Sequence, residues 1–191
     1  MQVIIPMSGF GERFRQAGYT VPKPLIEIES KPIIAHVIEM FPGKNSFTFI
    51  CNSKHLETTN MREILKEYAP ASNVIEIEAH KKGPVYAVSK AFDYIEDESP
   101  AIVNYCDFSC YWDFANFISF TEKKKTNGCI PAYRGFHPHS LGNTNYAYMK
   151  EENGYLREIQ EKKPFTTNKI EEFASSGTYH FAKGSYIKHY F

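Results

Sequence analysis

The chain begins with Val3-Ile4-Ile5, an apolar run with no polar alternation, as in a strand buried on both faces. Over residues 32–41, apolar side chains fall at 33, 34, 37, 38 and 41. That spacing predicts a helix, with Pro32 suited to its first turn. Residues 47–51 read as a strand, 61–68 as a helix and 73–77 as a strand. A helix is expected over 85–95, entered through Gly83-Pro84. A strand over 101–105, a helix over 112–125 and a strand over 128–133 follow. Strand and helix therefore alternate through the first 130 residues, which argues an α/β fold: a mostly parallel sheet with helices on both faces, in three layers.

The pattern then changes. Residues 146–150 and 156–160 flank Glu152-Asn153-Gly154, a hairpin-turn sequence. A strand is expected over 176–181 and the start of a helix over 186–191. The chain reads as one domain, with a core over 1–133 and a small β-rich extension over 134–191. The last residues, Ile187-Lys188-His189-Tyr190-Phe191, look like mid-helix, so a truncated carboxyl end is expected.

A length of 191 residues fits a single domain with a sizeable core. The 22 basic residues balance the 22 acidic ones, so bulk charge points to no nucleic acid and no membrane as partner. Lys81-Lys82, Lys123-Lys124-Lys125 and Lys162-Lys163 read as solvated surface. Cys51, Cys106, Cys110 and Cys129 include no C-x-x-C pair, and Cys106 and Cys110 are expected as buried free thiols. No apolar run reaches the roughly 20 residues of a membrane helix, and no signal peptide is evident. A reduced cytoplasmic enzyme is the expectation, with a homo-oligomer left open.

Candidate chemistry starts where the first strand ends, because ligands of open α/β sheets sit beyond the carboxyl ends of the strands. Ser8-Gly9-Phe10-Gly11-Glu12-Arg13-Phe14 holds two glycines, which let backbone N–H groups approach phosphate oxygens. Phe14 stands where a dinucleotide fingerprint needs a third glycine, and no Gly-Lys-Ser/Thr follows. Arg13 and Lys23 add two cations, and Pro22 and Pro24 stiffen the backbone on either side of Lys23. Two pre-positioned cations suit a triphosphate, whose bridging oxygens gain charge during transfer.

Three elements together, Ser8 to Phe14, Pro22-Lys23-Pro24-Leu25 and Lys31-Pro32-Ile33, resemble the amino-terminal signature of the sugar-phosphate nucleotidyltransferases, the nucleoside-diphosphate-sugar pyrophosphorylases. Gly83-Pro84-Val85-Tyr86-Ala87, Tyr105-Cys106-Asp107, Glu161-Lys162 and Ser176-Gly177-Thr178-Tyr179 resemble later family segments in the same order. The resemblance implies a Rossmann-like nucleotidyltransferase fold and transfer of a nucleoside monophosphate from an NTP to a phosphorylated small-molecule acceptor, with pyrophosphate released. It implies Arg13 and Lys23 as catalytic residues. It implies nucleotide contacts from Met7, Ser8, Gly9, Gly11, Gly83 and Pro84, and Mg²⁺ on Asp107. It implies acceptor contacts from Glu161, Lys162 and Gly177. Arg134, in the segment Arg134-Gly135-Phe136-His137-Pro138-His139-Ser140, is a further candidate for gripping an acceptor phosphate or carboxylate. The two histidines of that segment read as part of a rigid loop rather than a metal site.

Several positions depart from the family pattern. Glu12 replaces a small or hydroxylated residue, Ser8 replaces a glycine, and Ala147 stands where sugar enzymes often carry glycine. No Asp or Glu follows Gly177, where the family usually supplies a second metal carboxylate. The leading expectation is a product of the NDP-sugar type, used for capsule or other surface polysaccharide. Two alternatives stay open: a cytidylyltransferase acting on phosphocholine or another small phosphate, and a nucleotide-binding module without activity.

Overall fold

The structure is a computed structural model and describes residues 1–137, 142, 144 and 146–191. The elements run β1 (Gln2–Met7), α1 (Glu12–Gln16), β2 (Glu27–Ile28), β3 (Lys31–Pro32), α2 (Ile33–Glu39), β4 (Ser46–Asn52), α3 (Ser53–Thr58), α4 (Met61–Tyr68), β5 (Asn73–Ile77) and α5 (Gly83–Ser89). They continue β6 (Ala101–Asn104), α6 (Phe114–Lys124), β7 (Gly128–Cys129), β8 (Ala132–Tyr133), β9 (Ala147–Glu152), β10 (Tyr155–Glu161), β11 (Phe173–Ser175), β12 (Thr178–Phe181) and α7 (Gly184–Tyr190).

The chain forms two compact units, one of residues 1–129 with 179–191 and one of residues 130–178. The sequence reading had kept everything after residue 133 together; residues 179–191 instead return to the first unit. There β12 pairs with β7, and α7 packs on the loop after residue 95.

The first unit holds a six-stranded sheet in the order β5-β4-β1-β6-β12-β7. β1 runs parallel to β4 and β6, and β4 parallel to β5, while β12 and β7 pair antiparallel. This is the expected mostly parallel sheet of an α/β fold. Side chains alternate across it, as the period of two requires. Val3, Ile5, Met7, Phe47, Phe49 and Cys51 join Ile34, Val37, Met61, Leu65 and Phe114 in one core cluster. Ile4, Ile50, Ala101 and Val103 join Ala87, Val88, Ala91 and Ile187 in a second. The two clusters on opposite faces explain why β1 reads as continuously apolar.

Trp112, the sole tryptophan, ties α6 to α2: its indole N–H donates to Met40 O at 2.7 Å, and its ring meets Phe41 edge-on. Gln2 is buried and clasps the loop after residue 95. Its amide donates to Glu96 O and Ser99 O and accepts from Glu96 N–H at 2.7 Å.

The second unit holds a four-stranded sheet in the order β10-β9-β11-β8. Its β9–β10 hairpin turns at Asn153 and Gly154, both at positive φ, the geometry that favours Asn-Gly in tight hairpins.

Three expected elements differ. The single strand over 128–133 is two, β7 and β8, in different sheets. Pro131 between them has no N–H for a ladder, and its carbonyl accepts from Ser176 N–H instead. The strand expected over 176–181 begins only at Thr178, as β12, because Gly177 at φ 78° leaves the extended region; β11 has already ended at Ser175. The helix over 85–95 ends at Ser89 and tightens into a 3-10 turn at Phe92–Tyr94, which still buries Ala91 and Ile95. Cys110 is exposed rather than buried, because the chain leaves β6 irregularly and offers no helix face for the 106/110 spacing. Cys51 and Cys106 are free thiols that burial pushes up to about 12. Among the described residues, no helix is long and apolar enough to cross a membrane. Pro138, His139 and Ser140 of the singled-out loop lie outside the described residues.

Candidate active site

The chain order of the sheet locates a crevice. From β1 the chain moves outward through β4 to β5, then crosses back to place β6 on the other side of β1. This is a topological switch point, where loops at the strand carboxyl ends diverge. Pairing between β1 and β6 stops at Ile4–Val103, so the end of β1 from Ile5 to Met7 is paired only with β4. Pro6 sits in that stretch, where its missing N–H takes nothing from the β6 ladder.

The glycine loop and Asp107 emerge at this point, from β1 and β6 respectively. Met7 and Ser8 are buried. A Cβ on Gly9 would meet nothing within 4 Å, so the loop is open beside it. Gly11 caps α1 at φ 63°, ψ 31°, a left-handed conformation that glycine adopts without Cβ strain. Gly11 O then accepts from Phe14 N–H and Arg15 N–H and so starts the helix that carries the exposed Arg13.

Lys23 opens a 3-10 turn held by Leu25 N–H donating to Pro22 O at 2.8 Å, with Pro24 and Leu25 buried beneath it. Its ammonium forms an ion pair with the Asp107 carboxylate and lies 5.0 Å from the centre of the Phe14 ring. Arg13 on α1, Lys23 in the 3-10 turn and Asp107 after β6, three residues singled out in the sequence, thus lie beyond the carboxyl edge of the same sheet. Gly83 stands at φ 86° at the start of α5, followed by Pro84.

The segment before Gly83 reaches the same loop, which the sequence reading did not foresee. His80 Nδ1 accepts from Lys82 N–H at 3.2 Å, so that nitrogen is unprotonated. Its proton is then on Nε2, 3.2 Å from Ser8 Oγ. Burial, aided by Lys82 and Lys90, holds this imidazole below its ordinary pKa. Lys81 pairs with Glu12 at 2.9 Å and lies 5.8 Å from the Phe10 ring centre. Lys82 and Lys90 lie 4.4 and 4.7 Å from the Tyr86 ring centre, and His80 meets that ring edge-on. The available signal was topological: residues 78–82 follow β5 and so share the ligand-bearing edge.

Glu161, Lys162, Arg134 and Gly177 belong to the second unit. Lys162 has φ 57°, uncommon for a residue with a Cβ. Two hydrogen bonds fix this conformation: Lys162 N–H donates to Tyr146 O, and Thr144 Oγ1 donates to Lys162 O. Its ammonium stands 3.6 Å from Glu161. Glu172 accepts from the N–H groups of Phe165 and Thr166 and orders the turn that follows. Arg134 lies 5.2 Å from the Phe173 ring centre, a cation–π placement. Gly177 donates its N–H to Ser175 Oγ.

Among the described residues, no group of three or more His, Cys, Asp or Glu is placed to hold a metal. Asp107 already binds one cation, the Lys23 ammonium. Mg²⁺ commonly takes one or two carboxylates, completing its shell with water and substrate phosphate oxygens, so a single carboxylate here fits it.

Known proteins resemble this chain over most of its length. A family model described as Nucleotidyl transferase matches residues 2–189. A mannose-1-phosphate guanyltransferase of Schizosaccharomyces pombe is 29% identical over 174 residues, covering 89% of this chain and 47% of that protein. A mannose-1-phosphate guanylyltransferase catalytic subunit beta of Dictyostelium discoideum is 28% identical, covering 95% of this chain and 49% of that protein. The chain thus spans about half the length of these relatives. Among solved structures, a nucleoside-diphosphate-sugar pyrophosphorylase of Vibrio cholerae superposes with a TM-score of 0.73 at 20% identity, over 98% of this chain and 75% of that one. An inositol-1-phosphate CTP transferase of T. maritima superposes with a TM-score of 0.77 at 13% identity, over 99% of this chain and 73% of that one. With its glycine loop and its lysine–aspartate pair at the switch point of this sheet, the chain belongs to the nucleotidyl transferase family.

Proposed function

We propose that the chain carries out nucleotidyl transfer from an NTP to a sugar phosphate. In this reaction an acceptor phosphate oxygen bonds to the α-phosphorus while the bond from that phosphorus to the α,β-bridging oxygen breaks. The products are an NDP-sugar and pyrophosphate. The nucleophile is already an anion, so no strong base is needed, and the work is alignment and charge neutralisation. The observation that carries this reading is the Lys23–Asp107 ion pair beside an open glycine loop. Lys23 neutralises the α-phosphate as charge builds on the leaving oxygen, and Arg13 engages the β- and γ-phosphates. Ser8, Gly9 and Gly11 supply the loop backbone, with Met7, Gly83 and Pro84 on the nucleoside side. Asp107 would hold Mg²⁺, which supplies Lewis-acid charge neutralisation when bound. On the second unit, Lys162 takes the acceptor phosphate and Glu161 its hydroxyls, with Arg134 and Gly177 as further acceptor contacts.

The names of the curated relatives favour a hexose 1-phosphate as acceptor and GTP as donor. Such a product serves polysaccharide assembly at the cell surface, made by an enzyme in the cytoplasm. A second reading keeps the reaction and changes the substrates to CTP and a small non-sugar phosphate; the T. maritima neighbour, named as a CTP transferase, favours it. The test is pyrophosphate release from each of four NTPs with mannose 1-phosphate, glucose 1-phosphate, inositol 1-phosphate and phosphocholine. Turnover with a hexose 1-phosphate supports the first reading, and turnover with CTP and a non-sugar phosphate the second. NTP binding with no turnover on any pair identifies a binding module.

A further inference from the structure

Glu12 is a misfit by charge: an acidic side chain at the first position of α1, directly after the glycine cap of a phosphate-binding loop. A triphosphate entering that loop meets a like charge unless Glu12 is neutralised. Lys81 provides the neutralising charge at 2.9 Å. Its hydrogen bond and charge hold the Glu12 carboxyl below its ordinary pKa, keeping it ionised and paired. Lys81 also faces the Phe10 ring at 5.8 Å, and its neighbour His80 reaches Ser8 Oγ at 3.2 Å. Two consecutive residues thus touch the loop at positions 8, 10 and 12, along most of its length.

The pair is exposed on both sides, with side-chain exposures of 75% and 51%. Exposed pairs add little to fold stability. The consequence of this one therefore lies in the charge and position of the loop. We propose that Lys81 is a positioning residue for the nucleotide: by holding Glu12 it cancels the one negative charge of the loop Ser8–Glu12 and fixes that loop open for the triphosphate. The proposal rests on the nucleotidyl-transfer reading for its ligand, and it makes Glu12–Lys81 a unit that favours donor-nucleotide binding through the loop without acting in the chemical step.

The test is a double-mutant cycle. Wild type, Lys81→Ala, Lys81→Arg, Glu12→Gln and the Glu12→Gln/Lys81→Ala double variant are titrated calorimetrically with ATP, GTP, CTP and UTP in magnesium buffer. Steady-state pyrophosphate release is followed in parallel. Lys81→Ala is expected to weaken the preferred NTP roughly tenfold, the scale of one uncompensated charge facing a triphosphate. The KM for that NTP rises in step while kcat stays within about twofold, since the chemical step is untouched. Glu12→Gln binds as wild type or tighter, Lys81→Arg stays near wild type, and the double variant matches Glu12→Gln. Equal losses from Lys81→Ala in both backgrounds would mean that Lys81 contacts the nucleotide itself, and no loss in either would mean a solvated surface pair; both overturn the proposal. Coupled binding without pyrophosphate release sinks the catalytic reading and leaves the proposal standing. A wild-type protein that binds none of the four NTPs sinks both.

Discussion

The Lys23 ammonium and the Asp107 carboxylate pair across the end of the central strand, each side chain about a quarter to a third exposed. Lys23, between Pro22 and Pro24, opens a 3-10 turn and Asp107 follows β6, so the pair depends on the sheet order rather than on local sequence. Each group satisfies the other. The proposed reaction requires them to separate, the lysine turning to phosphate and the carboxylate becoming available to hold Mg²⁺. Lys23→Ala should therefore lower kcat roughly a hundredfold or more, on the scale of losing one preorganised transition-state donor, with a smaller change in NTP affinity. Asp107→Asn should lose magnesium-dependent turnover while its melting temperature moves by only a few degrees, because a partly exposed pair contributes about 1 kcal/mol. Near-normal rates in Asp107→Asn would remove that residue from the site.

Gly11 is held at φ 63°, and a Cβ placed there would meet Lys23 Cβ at 3.9 Å, which is ordinary contact. Space therefore does not forbid alanine; the backbone does. Gly11→Ala should destabilise the protein by about 1–2 kcal/mol, the cost of a left-handed residue with a side chain. Gly9→Ala, which meets nothing, should leave stability unchanged and weaken NTP binding by filling the open side of the loop. Denaturant unfolding together with NTP titration separates the two effects. Equal stability losses at both positions would contradict this assignment.

These two predictions mark what the sequence made legible. β1 and β4 were readable because burial on both sheet faces leaves apolar runs, β5 because it is rich in β-branched residues, and α4 because an amphipathic helix keeps its period. Gly11 and Lys23 were readable because glycine and proline spacing constrains the backbone, and Asp107 because the segment Tyr105-Cys106-Asp107 resembles the family's strand-ending aspartate. His80 and Lys81 were not, since a histidine and a lysine pair have no periodic signature, and their role depends on a loop seventy residues earlier. The break at Pro131 was legible in principle, because proline argues against a continuous ladder strand. The return of residues 179–191 to the first sheet was not, because a short antiparallel strand looks alike in either unit.

The cysteines offer a chemical check on the fold. Burial pushes the Cys51 and Cys106 thiols up to about 12, whereas Cys110 is exposed. Iodoacetamide at pH 8 should alkylate Cys110 first and spare Cys51 and Cys106 until the protein unfolds, since only the thiolate reacts. Peptide mapping of modified sites reads this directly, and early labelling of Cys106 would place it outside the core.

Gly184 opens α7 against the loop that Gln2 clasps. A Cβ there would come within 2.6 Å of Ile95 Cγ2 and closer still to Glu96 O. One of these neighbours is backbone, so relief requires the helix to move. Gly184→Ala should cost about 1–3 kcal/mol through overpacking, despite alanine's better helix propensity. A rise in the urea midpoint would show that the helix adjusts freely.

His180 lies on β12, buried, with its ring edge-on to Phe117 and its Nδ1 without a hydrogen-bond partner among the described residues. Burial lowers its pKa from 6.5 to about 4. Between these values the unfolded chain binds the proton and the folded chain does not, so stability falls as pH drops through this window. Above pH 6.5 the contribution is complete. By pH 4 the loss should reach about 3 kcal/mol, each pKa unit corresponding to about 1.4 kcal/mol. His180→Gln removes this titration, and comparing urea midpoints of the two proteins at pH 7.5 and 4.5 isolates it from the carboxylates they share. The variant should lose less stability on acidification than wild type. Parallel losses would mean that the imidazole takes up its proton in the folded state.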